Sequence, residues 1–205
     1  MKHSAPAHYF PHLLLGGYII LFLLCAIDPL DKAVWIAENL TVLLVVVPLV
    51  LTYPKFRFSN TAYALMSVWV YMHTVGGHYT FAKVPFDLVN DLFGWERNNY
   101  DRIAHFSVGF YAYAIAELID RKRLVANRIM LFLFPVFSIV TIAALYEIVE
   151  WIAAVSLNPQ AGADYVGAQG DVWDAQKDML CDTLGAVFAT SIYLLTQRQS
   201  LTQRR

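Results

Sequence analysis

Charge is what this chain has least of: 15% of its residues are charged, and 15 Lys and Arg against 16 Asp and Glu leave a formal net charge of -1. No basic surface for nucleic acid can be built from that balance. Cysteine is nearly missing as well. Cys25 and Cys181 each lie in an apolar stretch without a spacing motif, so they read as buried membrane thiols rather than a disulfide or a metal-binding pair. There is no Gly-rich phosphate loop, no Gly-x-Ser-x-Gly elbow and no His-Glu-x-x-His helix, which argues against nucleotide-driven work and against those hydrolytic designs. Internal repeats and low-complexity tracts are also absent.

What the chain has instead is hydrophobicity. Of its 205 residues 58% are hydrophobic and the mean hydropathy is +0.48, the composition of a multi-pass membrane protein. With about 20 apolar residues needed per crossing, six spans are expected, near residues 12–27, 33–53, 59–82, 101–120, 129–152 and 177–196. The first resembles a signal peptide in length, but the segment before Asp28 lacks a clean small-x-small cleavage site, which favours an uncleaved helix. Between spans three and four, Pro85 to Trp95 sets apolar and acidic residues at helical spacing, as in a short helix lying in the interface. Ser156 to Gln169, with Asn158-Pro159, Gly162 and Gly167, reads as a polar loop. The fold class expected is therefore all-α: one integral membrane domain over residues 1–205, a polytopic bundle of about six transmembrane helices plus the interfacial helix.

Basic residues set the expected orientation. With the N-terminus inside, ten Lys and Arg fall on inner segments and five on outer ones, so the positive-inside rule places both termini in the cytoplasm. Of the sixteen acidic residues only Glu117 and Asp120 then lie on the inner side. The acids face outward, which in a bacterium is the periplasmic side.

Those acids are patterned. Asp171, Asp174, Asp178 and Asp182 are spaced three, four and four apart, which at about 100° per residue confines them to an arc of about 80° on one helix. An ionised carboxylate at a helix centre in hydrocarbon costs about 2.5–3.5 kcal/mol, so such a stripe needs a reason. Asp101 and His105 lie four apart on span four, Glu147 and Glu150 close span five, and His73 and His78 flank Gly76-Gly77, a pair expected to bend span three. The common topology brings these motifs to one membrane surface. Candidate catalytic residues are Asp101, His105, Glu147, Glu150, Asp178 and Asp182; candidate metal ligands are His73, His78, His105, Asp178 and Asp182. Carboxylates with imidazoles suit a divalent metal, and without metal they suit general acid–base chemistry. A structural alternative stands beside this: Arg97, Arg102 and Lys177 neutralise the acids, Asp101 complements a helix dipole, and Trp69, Trp95, Trp151 and Trp173 form interfacial belts. Glu38 is a weak additional member of the acidic group.

The run from His73 through Gly185, and the chain length, resemble the YjdF-like bacterial inner-membrane proteins. That resemblance implies a multi-pass inner-membrane protein and carries no reaction with it. Residues 100 to 190 also resemble the VanZ-like family, in which one span opens Asp-Lys-x-x-His-Phe and a later one carries Asp-x-x-x-Asn-x-x-Gly; the counterparts are Asp101-Arg102-Ile-Ala-His105-Phe106 and Asp178-Met-Leu-Cys-Asp182-Thr-Leu-Gly185. VanZ-like proteins are associated with glycopeptide-antibiotic tolerance at the envelope. Here Arg102 replaces the lysine and Asp182 the asparagine, so no mechanism transfers. The leading functional expectation is an envelope enzyme acting on a lipid or lipid-linked substrate. The rivals are a proton- or cation-coupled transporter and a non-catalytic envelope or assembly factor. The partners expected are the bilayer and such a lipid, with no nucleic acid.

Overall fold

The computed structural model describes residues 9–156 and 168–202, and side chains through residue 197. The expected polar loop falls almost wholly outside them. All the regular structure among the described residues is helical: α1 (Phe10–Cys25), α2 (Lys32–Thr52), α3 (Asn60–Tyr79), α4 (Asp87–Phe93), α5 (Tyr100–Val108), α6 (Tyr111–Arg121), α7 (Arg128–Ser156) and α8 (Asp174–Thr202). By length and apolarity, α2, α7 and α8 through Gln197 suffice to cross a membrane, and α1 is a shorter apolar helix. Leu44 on α2 and Ile142 and Ile148 on α7 are exposed on the molecule's outside, where only lipid makes such a surface favourable. The protein is a membrane helix bundle.

Local chemistry explains the helix ends. Asp31 caps α2, its carboxylate accepting from the Ala33 and Val34 amides at 2.8 and 3.1 Å. Ser59 caps α3 through the Ala62 amide while its own amide and hydroxyl donate to Glu117 at 2.8 and 2.7 Å. The short helix expected between Pro85 and Trp95 is present as α4, shorter than expected, with Leu88 and Leu92 exposed and Gly94 closing it at φ 67°.

Two halves meet around α3. On one side α1 and α2 pack on α3, with Tyr18, Val42, Trp69 and Val70 between them. On the other, α8 packs against α5, α6 and α7 over a core that includes Tyr113, Ile139, Ala186, Ala189 and Tyr193. Trp69, expected in an interfacial belt, is instead a core residue, 6% exposed. Its ring packs on His73 and Tyr111.

Two expectations about backbone need correction. Gly76 and Gly77 do not bend α3, which runs unbroken through them. They provide room: a Cβ on Gly76 would strike the Phe81 ring, and one on Gly77 would press on Glu38. The expected fourth span is not one helix either, because it divides at Gly109-Phe110 into α5 and α6. There Gly109 lies directly against the backbone of α8 at Gly185, so that a Cβ on either would meet backbone atoms of the other helix. Small residues at a crossing let membrane helices approach closely, and this crossing sets the geometry of the site above it.

Candidate functional site

The Gly109–Gly185 contact holds α5 and α8 side by side and parallel, so residues one and two turns before the crossing face each other. On α5 these are Asp101 and His105; on α8 they are Asp178 and Asp182. His105 Nδ1 lies 3.2 Å from Asp182 Oδ2, and Nε2 lies 3.7 Å from Asp101 Oδ1. A ring nitrogen of His105 and oxygens of Asp101 and Asp178 lie within 4.8 Å of one another. Asp182 is 1% exposed, and its second oxygen Oδ1 accepts no hydrogen bond among the described residues. Buried acceptors are rarely left so, since desolvation without a partner costs about 1–3 kcal/mol.

Around the start of α8 the acids are neutralised. Asp174 sits between Arg97 Nη1 at 2.7 Å and Arg102 Nη2 at 2.6 Å. Asp171 meets Arg102 at 3.0 Å and Lys177 at 2.6 Å. Asp171 is not part of the acidic helix stripe: it lies in the turn before α8 and joins the cluster by folding back over these cations. The Lys177 ammonium, donating to its carboxylate, pulls Asp171 down to about 2. Arg102 Nε also reaches Asp178 Oδ1 at 3.3 Å. The turn is clasped to the start of α5 by a reciprocal pair, Asn98 N–H donating to Gln169 Oε1 and Gln169 Nε2 donating to the Asn98 carbonyl.

Below this clasp lies a cavity of about 420 Å³ between α2, α3, α5, α6 and α7, with α8 reaching it at Asp182. Asp101, His105, Asp182, Glu150, Glu38 and His73 line its polar end. The rest of the wall is mostly apolar and extends to Thr52, Phe58 and Leu118. From Glu38 to Thr52 along α2 is about 21 Å at 1.5 Å per residue. Leu44 and Ile142 both line the cavity and face outward, 68% and 53% exposed. The cavity therefore borders the lipid-facing surface between α2 and α7.

The expected site residues divide accordingly. Asp101, His105, Glu150 and Asp182 reach the cavity; Asp178 stands just behind its wall, and Glu147 does not line it but lies within electrostatic range of His105, Asp178 and Asp182. His73 belongs to the cavity but pairs with Glu38, its Nε2 2.8 Å from Glu38 Oε2, rather than with the aspartates. His78 stands apart: its Nδ1 is 2.7 Å from the Cys25 carbonyl, and its ring packs on Trp35. It has no place in a metal set with Asp178 and Asp182. Two participants gave little or no signal. Glu38 is an isolated acid in an apolar helix, which is itself a signal at membrane depth; Tyr146, whose hydroxyl donates to Glu38 at 3.2 Å, had none.

A membrane helix bundle with a buried acid–imidazole cluster opening into an apolar cavity is the class these features define. The chain belongs to the family described as predicted membrane protein DUF2238, whose profile matches residues 10–199. It is 37% identical over 166 residues to the inner membrane protein YjdF of Escherichia coli (strain K12), a match covering 80% of this chain and 78% of that one. No solved structure matches it. Inner-membrane localisation follows from this kinship; the VanZ-like resemblance rests on its motifs alone.

Proposed function

We propose that this protein is an envelope enzyme that acts on the polar head of a lipid or lipid-linked substrate. One observation carries the reading: a single cavity joins a carboxylate–imidazole cluster to an apolar tunnel that borders the lipid-facing surface. A water-soluble substrate has no use for such a tunnel, whereas a lipid tail is stabilised by about 25 cal/mol for each Å² it buries there. At the polar end, Glu150 on α7 and the Asp101–His105–Asp182 group on α5 and α8 flank the position of the head. Hydrolysis or group transfer needs such a pair of groups. One takes the proton from the attacking water or hydroxyl as the new bond forms, and another delivers a proton to the leaving oxygen as the old bond breaks. The positive-inside distribution supports a periplasmic position for this end, with both termini in the cytoplasm.

The transporter reading is less well supported, because a coupled path needs titratable groups towards the other surface. Glu117 and Asp120 are engaged there: Glu117 accepts from Ser59 and Arg121, and Asp120 accepts from the Tyr193 hydroxyl.

The test is to purify the full chain in mild detergent and identify co-purifying lipids by mass spectrometry, then to incubate it with extracted envelope lipids. Wild type is expected to retain lipid and to change the head-group composition of the extract. Ile142→Trp and Ala143→Phe, which fill the tunnel, should lose the lipid, and Glu150→Gln should keep it without turnover. Lipid retained equally by both tunnel variants would overturn the reading, as would an extract left unchanged by wild type.

A further inference from the structure

The cations and acids of the site do not balance. Arg97, Arg102 and Lys177 match Asp171, Asp174 and Asp178 one for one. Asp101 and Asp182 remain around His105, with Glu147 and Glu150 in electrostatic range of the same ring. With these four acids ionised, even a charged His105 would leave the group negative, and uncompensated buried charge is strongly unfavourable. An acidic pocket of this kind also repels an anionic head.

Bond directions point to the remedy. With the ring proton on Nδ1, donating to Asp182, His105 turns a lone pair on Nε2 towards Asp101, whose carboxylate offers it only further lone pairs. Three Lewis-basic atoms, from His105, Asp101 and Asp178, then converge within 4.8 Å of one another. Metal–oxygen and metal–nitrogen bonds of about 2.0–2.6 Å bring ligand atoms about 3–5 Å apart. A carboxylate that accepts from the far nitrogen of a metal-binding histidine is the usual way to orient that ring, and Asp182 stands in that position. Its buried, unpartnered Oδ1 at the cavity wall is a second acceptor available to the cation or to its water.

We infer that Asp101, His105 and Asp178 bind a divalent cation between α5 and α8, at the wall of the cavity's polar end, with Asp182 as the positioning residue, and that this cation admits an anionic, phosphate-bearing lipid head. The inference rests on the lipid reading for its second half; the cation site stands independently of it.

The probe is Mn2+ added to the metal-stripped full chain in detergent without lipid, followed by electron paramagnetic resonance and calorimetry. One equivalent should bind, and pulsed measurements on wild type should show coupling to an imidazole nitrogen. Asp178→Asn and Asp101→Asn should abolish that binding. Asp182→Asn should weaken it by roughly 10- to 100-fold. Retention of dodecyl phosphate should require Mn2+, while that of dodecanol should not. Wild type that binds neither Mn2+ nor Zn2+ overturns the proposal, even if lipid is still retained. So does Mn2+ bound without nitrogen coupling, or bound undiminished in both aspartate variants. If Mn2+ binds as expected but neither amphiphile is held, the cation site survives and the lipid reading falls.

Discussion

Each acid at this site was visible as a residue, but its neighbour was not, and the neighbour decides what it does. Asp171, Asp174, Asp178 and Asp182 look alike in sequence; in the bundle the first two are neutralised by arginines and the last faces a cavity. Where the neighbouring acids are ionised, removing one carboxylate charge relieves like-charge repulsion. Asp182→Asn is therefore expected to leave the thermal midpoint in detergent unchanged or higher while abolishing turnover. Glu117→Gln, which strips the Ser59 and Arg121 donors of a charged acceptor, should cost about 1–3 kcal/mol by the same measurement. Asp171 carries the pH dependence that lies outside the spans. Its folded value of about 2 is below the unfolded value of about 3.9. The ion pairs it makes with Lys177 and Arg102 therefore contribute fully above about pH 4 and are lost as pH falls through about 2. A carboxyl carbon titration by NMR should follow that course, and in Lys177→Ala the midpoint should rise.

Among the elements, the pairing of α5 with α8 matters most, and it depends on two glycines. Gly109 and Gly185 leave no room for a methyl group against the opposing backbone, and backbone cannot move aside as a flexible side chain would. Gly185→Ala and Gly109→Ala should each destabilise the protein by about 1–3 kcal/mol or more through overpacking. They should also pull His105 away from Asp182, so that activity falls further than stability explains. Gly16, with open space around it, is the control: Gly16→Ala should be neutral or stabilising, by up to about 1 kcal/mol. Thermal unfolding of the three variants in one detergent, read beside turnover, checks the series. The sequence marked Gly185 only as a motif position and placed Gly109 inside a continuous span, because a glycine that bends a helix and one that admits a neighbour look the same in one dimension.

For the whole molecule the prediction is topological. From ten inner against five outer basic residues, reporter fusions at the C-terminus and in the Arg121-Lys122-Arg123 segment are expected to report cytoplasm, and fusions near Trp95 periplasm. A periplasmic C-terminus would put the acid–imidazole end of the cavity on the opposite face.

The membrane class, the helical fold, the short helix after α3 and the patterning of acids were determined by the sequence itself. They follow from hydropathy and from periodicity along one chain, which local composition encodes. The i,i+4 pairs Asp101/His105 and Asp178/Asp182 were legible for the same reason. What only the tertiary structure decided is which pairs meet: that α5 lies parallel to α8, that His73 answers Glu38, that His78 turns away to the Cys25 carbonyl, and that an apolar tunnel runs up to the cluster. These are contacts between residues dozens of positions apart, set by how closely helices approach, and helix approach depends on side-chain volume on both partners at once.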